Sequence, residues 1–365
     1  LAAFLHFASF YYLAATLPLY VLDLGGSTYQ VGLINGAFSL TSLLVRPFLG
    51  AWMDRIGRKV FLIAGAGIYV VASLGYLPIG SVQGILWWRA FHALGLASFS
   101  TAAVSLAGDF APVRRRGSTM GVFGVAQAGA LTVGPAVGLF LQRTLGYTGL
   151  FVVTATTALT ALLCVLPITG ELPESGHAGI DRGEGGHTFL RAMTLPATAQ
   201  FAASAAYGAI VSFVAVIAQS RGLDTVGIFF ALFALSSLVV RPWAGNAYDS
   251  RGPVIVLAPA FLAIATGLGL LAVGGGQGSF LLSGVLAGAG IGGAQTTLIA
   301  RIVDRAPLDS RATSIAGFTA CWELGVGAGS ILAGRLADAA GFPETFLAIA
   351  ALSVLGLAVL PWFRR

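Results

Sequence analysis

The sequence predicts an all-α polytopic membrane protein, twelve transmembrane helices arranged as two six-helix pseudo-repeats. Three observations carry that prediction. Of 365 residues only 9% are charged and 57% are hydrophobic, against about 25% charged in soluble domains. The mean hydropathy is +0.88, and apolar runs recur from Leu1 to Phe363 rather than forming one anchor. A motif-bearing stretch also repeats at a fixed offset in the second half. Water is therefore not the main solvent, which argues against soluble enzymes and nucleic-acid binders. The net charge of +6 sits in short inter-helix loops, where topology explains it better than a polyanion partner does.

A span needs about 20 apolar residues to cross roughly 30 Å of hydrocarbon. The chain parses into spans at 1–22, 30–53, 60–80, 84–107, 117–141 and 148–169, then 195–219, 225–247, 253–274, 279–303, 312–338 and 344–363. A β-barrel would show alternating polar and apolar positions, whereas Leu150–Leu166 is apolar on every face. Leu1–Leu22 lacks the basic start of a cleaved signal peptide, and a first residue other than Met predicts that a short native N-terminus precedes it.

Orientation follows from the basic residues. Arg55, Arg58, Lys59, Arg114, Arg115, Arg116, Arg182, Arg191, Arg251, Arg305 and Arg311 follow even-numbered spans, and Arg364 and Arg365 end the chain. Only Arg143, Arg221 and Arg335 fall on the other side. Both termini are thus predicted to be cytoplasmic, in a plasma membrane. The domain organisation predicted is a first half at 1–169, a Gly-rich cytoplasmic linker at 170–194 and a second half at 195–365. His177 and His187 in the linker lack a Cys/His cluster, so no metal site is expected. Cys164 and Cys321 lie inside spans, so no disulfide framework is expected either.

Arg46-Pro47-Phe48-Leu49-Gly50-Ala51-Trp52-Met53-Asp54-Arg55-Ile56-Gly57 recurs as Arg241-Pro242-Trp243-Ala244-Gly245-Asn246-Ala247-Tyr248-Asp249-Ser250-Arg251-Gly252, an offset of 241 − 46 = 195. In the same register Asp109, Pro112, Arg116, Phe123 and Gly134 map onto Asp304, Pro307, Arg311, Phe318 and Gly329. Parallel duplicated six-helix units place a substrate path near the bilayer midplane.

Gly50-Ala51-Trp52-Met53-Asp54-Arg55-Ile56-Gly57-Arg58-Lys59 resembles motif A of the major facilitator superfamily, G-x-x-x-D-[RK]-x-G-[RK]-[RK], at every defined position. Physically it needs Gly50 for close packing, Gly57 for a free backbone and a carboxylate at Asp54. The resemblance implies a conformational latch made by Asp54 and Arg55, with Arg58 paired to Asp109. The second copy supplies Asp249, Arg251 and Asp304, but Pro253 stands where Arg58 does, so an asymmetric latch is expected. Arg89-Ala90-Phe91-His92-Ala93-Leu94-Gly95 is partly similar to motif B, with His92 for the usual Gln. Arg89 is read either as a buried functional arginine or as one that snorkels, and His92 as a proton carrier or a core residue. Gly129-Ala130-Leu131-Thr132-Val133-Gly134-Pro135-Ala136-Val137-Gly138-Leu139 resembles motif C, associated with antiporters, through Gly134, Pro135 and Gly138.

Glu323 is the only acid predicted deep in a span, where a charge costs about 2.5–3.5 kcal/mol. It is a candidate proton carrier, or the fixed partner of an arginine such as Arg89. Trp322, Tyr12, Tyr207, Gln127 and Gln295 are further cavity candidates. Gly288-Ala289-Gly290-Ile291-Gly292-Gly293 follows no strand and so is no dinucleotide fingerprint. No catalytic constellation appears, hence no enzyme, and no cofactor is expected beyond a proton gradient. The reading is a monomeric secondary transporter moving a small organic molecule by alternating access, as proton-coupled efflux of the antiporter and multidrug resistance type. Proton-coupled uptake of a sugar or carboxylate is the alternative, and a transporter-like receptor a remote one.

Overall fold

The computed structural model describes residues 1–110, 116–168, 186–305 and 311–359, without side-chain placement at 51, 54, 108–110, 116–121, 186–196, 303, 305, 311–316 and 358–359. Among the described residues all regular structure is helical, as expected where no water exists to satisfy an open backbone. Two compact units divide the chain, Leu1–Gly26 with Ala37–Arg182, and Ser27–Gly36 with Gly183–Arg365. The N-terminal end of the second helix thus packs with the second unit.

The first-half helices are α1 (Ala2–Asp23), α2 (Thr28–Ile56), α3 (Arg58–Gly75), α4 (Val82–Phe110) and α5 (Arg116–Val165). A 50-residue α5 would be about 75 Å long if straight, more than twice the hydrocarbon thickness. It is two spans joined at Gly146, whose φ of 67° and ψ of −175° are open to glycine alone. Tyr147 beside this break donates to Asp23 Oδ2 at 2.7 Å, tying the turn to the end of α1.

The second-half helices are α6 (Gly186–Ser220), α7 (Val226–Arg251), α8 (Val254–Val273), α9 (Gln277–Arg305), α10 (Arg311–Ala340) and α11 (Phe342–Leu355), followed by a 3-10 turn at Gly356–Val359. Among the described residues eleven α-helices therefore carry the spans, with α5 carrying two. Helix α6 begins at Gly186, so residues 186–194, the described part of the expected linker, are helical. Leu190, Arg191, Ala192 and Met193 are good helix formers that extend the span outward. Positions 169–185, including His177, lie outside the described residues.

The two halves pair their helices alike. In the first, α1 runs along α5, and α3 packs on α4 and on α5. In the second, α6 runs along α10, and α8 packs on α9 and α11. Glycine sets several of these approaches. A Cβ at Gly138 would lie 2.5 Å from the Tyr12 carbonyl oxygen, and one at Gly329 would strike the backbone of Ala205. A Cβ at Gly65 would lie 2.5 Å from the Phe99 nitrogen, and one at Gly290 2.5 Å from the Ala260 oxygen. Such contacts hold membrane helices together, since lipid offers no hydrophobic drive for association.

Replacing Gly146 by Ala puts a Cβ on a backbone that L-residues avoid. We expect a loss of about 1–3 kcal/mol, read as a lowered unfolding temperature in detergent micelles, whereas Ala at Gly124, which has open space around it, should leave that temperature near the original.

Candidate functional site

The largest buried polar side chain described in the first unit is Arg89 on α4, 2% exposed. Its guanidinium lies 4.2 Å from the Phe38 ring centroid and 5.8 Å from that of Phe10, and these two rings stack on each other at 5.4 Å. Nε and Nη1 of Arg89 are buried without a hydrogen-bond partner. One turn along α4, His92 is fully buried; its Nδ1 lies 3.2 Å from the Tyr76 hydroxyl, while Nε2 has no partner. Tyr76 also hydrogen-bonds with Arg89. Tyr69 covers His92 with ring centroids 4.0 Å apart, and its hydroxyl is an orphan. His6 on α1 completes the cluster, 4.4 Å from the Tyr69 ring and stacked 3.7 Å from Phe99, with both ring nitrogens unpartnered.

Burial in this cluster has a structural cause. The Gly65 and Gly95 contacts bring α3 and α4 to backbone distance, which lays Tyr69 against His92. Snorkelling, one of the two readings of Arg89, does not occur, because the side chain stays inside the unit. Acids between residues 1 and 169 are limited to Asp23, Asp54 and Asp109, all at helix ends. Among the described residues, the first unit thus offers its buried arginine no carboxylate within the helix interiors.

In the second unit, Tyr207 on α6 meets Trp322 on α10 at 5.3 Å and Phe233 on α7 at 5.9 Å. Glu323 follows Trp322 and is half-buried. Gln295 Oε1 accepts from Arg241 Nη2 at 2.8 Å. Tyr12 is half-buried on α1 and hydrogen-bonds with Thr157, whereas Gln127 is exposed. Gly134 and Gly138, flanking Pro135, receive Tyr11 and Tyr12 of α1, so the motif C-like segment is the seam between α1 and α5.

The motif A-like turn is formed by Gly57, at φ 100°, between α2 and α3. A Cβ at Gly50 would meet nothing within 4 Å, so the close approach expected there is absent in this conformation. Arg55 is exposed and Arg58 begins α3. The side chains of Asp54 and Asp109, and with them the expected Arg58–Asp109 pair, lie outside the described residues. In the second copy Gly252 has φ 81°, and Asp249 and Arg251 are exposed. Asp304 Oδ2 accepts from the Tyr248 hydroxyl at 2.5 Å, so a tyrosine holds the carboxylate where Pro253 has removed the arginine.

The N-terminal end of α2 belongs to the second unit. Gly32 faces the backbone of Ser330 and Gly334, and Thr28 hydrogen-bonds with Asp338. Asn35 Nδ2 donates to Ser212 Oγ at 3.0 Å, which donates to Ser330 Oγ at 3.0 Å.

A family model described as Major Facilitator Superfamily matches residues 1–195 and again 196–365. The chain belongs to the major facilitator superfamily. Among curated superfamily relatives, the uncharacterised MFS-type transporter YhhS of Escherichia coli K12 is 26% identical over 357 residues, 95% of this chain and 87% of the relative. The uncharacterised MFS-type transporter MJ1560 of Methanocaldococcus jannaschii is 24% identical, covering 94% and 91%. Among solved structures, a bacterial homologue of the human lysosomal transporter Spinster superposes with TM-score 0.82 at 16% identity, covering 100% and 95%. The nucleoside transporter NupG does so with TM-score 0.77 at 15%, covering 100% and 98%. The chain is thus a membrane transporter rather than an enzyme.

Sequence reading missed His6, Tyr69, Tyr76 and the Asn35–Ser212–Ser330 chain. A usable signal existed in the superfamily's own duplication. At the 195 offset Arg89, His92, His6, Tyr69 and Tyr76 face Gly284, Ala287, Phe201, Ile264 and Leu271. Ala287, Ile264 and Leu271 are fully buried, so the scaffold packs without polar groups there.

Gly32→Val places a branched side chain against the α10 backbone. We expect it to part the N-terminal end of α2 from Ser330 and Gly334, raising the labelling of a Thr28→Cys reporter by a water-soluble maleimide several-fold in detergent, whereas Ala at the open Gly67 should not.

Proposed function

We propose that this chain is a proton-coupled secondary transporter of a small organic molecule, working by alternating access from the plasma membrane with both termini cytoplasmic. The observation that carries the proposal is the cluster around Arg89 and His92. A fully buried cation with unpartnered donors, beside two buried histidines, exists in one half of a duplicated scaffold that does not need it. Buried ionisable groups in membranes mark substrate or ion pathways. That chemistry favours uptake of an acidic solute together with a proton. Alternating access would require the docked outer end of α2 to part from α10 and re-form each cycle.

A second reading is export in exchange for protons. It is favoured by Glu323, which sits 323 − 311 = 12 residues into α10, about 18 Å from its start and near mid-bilayer. Here a cationic substrate would displace the proton from the carboxylate beside Trp322 and Tyr207. The motif C-like seam of α5 on α1 supports the same reading.

The test is solute flux in proteoliposomes under an imposed pH gradient. Co-transport predicts accumulation on the alkaline side, and Arg89→Gln abolishing it. Exchange predicts accumulation on the acidic side, and Glu323→Gln abolishing concentration while facilitated equilibration survives. Flux indifferent to the gradient would remove proton coupling altogether.

A further inference from the structure

Arg89 and His92 are joined through one hydroxyl, and the direction of the protons on that hydroxyl is set by chemistry. A guanidinium only donates, so Tyr76 Oη accepts from Arg89. The Tyr76 proton is then free to point at His92 Nδ1, 3.2 Å away. Nδ1 is therefore the acceptor, and the neutral imidazole carries its proton on Nε2, the atom left without a partner. The empty site has one net charge, on Arg89.

A second proton on His92 lands on Nδ1, which becomes a donor. Tyr76 Oη then accepts from both Arg89 and His92, and its own hydrogen must turn away toward a new acceptor. Two cations now sit one helical turn apart. The other groups that face them are His6 and Tyr11 from α1, Tyr69 from α3 and Tyr76 at the C-terminal cap of α3, none of them an acid, while α2 and α5 bring the rings of Phe38 and Phe151. One carboxylate supplies an acceptor for Tyr76, an acceptor for an unpartnered N–H of Arg89, and a compensating negative charge.

We propose that the Arg89–Tyr76–His92 cluster is the binding site for the carboxylate of a small organic acid, and that the acid binds together with one proton, which resides on His92 Nδ1. The proton comes from water on the open side of the membrane, and no covalent bond is made or broken elsewhere. The loaded site returns to one net positive charge, two cations and one anion, so proton and acid enter together without changing its charge. Phe38 and Phe10 cover the guanidinium face in the present state and must shift for the acid to enter. Phe38 lies two residues beyond Gly36, where α2 passes from the part packed with the second unit to the part packed with the first, so release of the outer end of α2 is positioned to move that ring. This inference rests on the co-transport reading and names its substrate class and its proton site.

The test uses purified full-length chain in detergent, with lactate, succinate and benzoate as probes and their amides, lactamide, succinamide and benzamide, as neutral isosteres. At least one acid should raise the unfolding temperature where its amide does not, and should take up as much as one proton per molecule bound, read with an indicator dye in weak buffer. Because the bound state holds the extra proton, affinity should rise as pH falls, by up to about tenfold per pH unit. Arg89→Gln should weaken the acid about 10- to 100-fold, and His92→Gln should abolish the proton uptake and flatten the pH dependence. The wild-type measurements stand alone if either variant fails to fold. The proposal is overturned if all three acids behave like their amides, if binding takes up no proton, or if His92→Gln still takes one up. Binding needs no turnover, so an acid that binds with a proton but is never moved supports the site and removes the transport reading. Flux of a neutral or cationic solute by a chain that ignores all three acids overturns the site and leaves transport standing.

Discussion

Backbone groups in hydrocarbon must satisfy themselves, and the helices that result can hold one another only by close contact. In this chain that contact is glycine against a facing backbone. Gly138 on Tyr12 fastens α5 to α1, and Gly65 with Gly95 fastens α3 to α4. The polar chemistry depends on the second of these. With α3 and α4 held at backbone distance, Tyr69 and Tyr76 have no direction to point except across His92 and Arg89. Side chains at those glycines would separate the helices and let water or lipid reach the groups that are now sealed.

The duplication repeats the scaffold and not the chemistry. Glycine at 134 and 329, and again at 95 and 290, sits in equivalent seams in both halves. The polar residues of the first unit are matched by apolar ones in the second, while the second carries the carboxylate of Glu323, whose counterpart is Ala128. One half thus offers a cation and the other an acid. The turns that follow α2 and α7 diverge in the same manner. Pro253 cannot replace the charge of Arg58, and a hydrogen bond from Tyr248 secures Asp304 instead.

Much of this was legible because it is periodic. Span length, the gathering of arginine at alternate helix ends and the 195-residue offset all average over many residues, so they give the helix count, the duplication and the family without any contact being known. What was not legible depends on single positions. Gly146 sits in a segment whose neighbours continue as helix on either side, so spans 5 and 6 join through one residue where sequence suggests a loop. The helical start of α6 at Gly186 follows from local helix formers inside a stretch whose glycines suggest coil. Gly50 matches its motif yet touches nothing, since a motif records every state a latch visits and a structure holds one. His6 escaped because a single histidine barely lowers the hydropathy of an apolar span. Tyr69 and Tyr76 escaped because tyrosine in a membrane helix is ordinarily an interfacial residue.

The choice of arginine at position 89 bears on what the site is for. A buried lysine can shed its proton and so escape the cost of desolvation, whereas a guanidinium stays charged. The Phe38 face offsets part of that cost, about 2 kcal/mol for a well desolvated cation–π contact. It satisfies no N–H donor, and each buried donor left without an acceptor costs about 1–3 kcal/mol more. A neutral residue would remove the whole penalty, as Gly284 does at the equivalent place in the second half. A cation kept under these terms is stabilised only when something negative arrives, and the acids of its own half are confined to helix ends. On the co-transport reading, the compensating charge comes from outside the first unit, on a molecule small enough to pass Phe10 and Phe38. The same argument explains why the neighbouring titratable group is a histidine rather than a glutamate: a fixed carboxylate would neutralise Arg89 permanently and leave the anion nothing to bind, whereas an imidazole adds positive charge only when a proton is present.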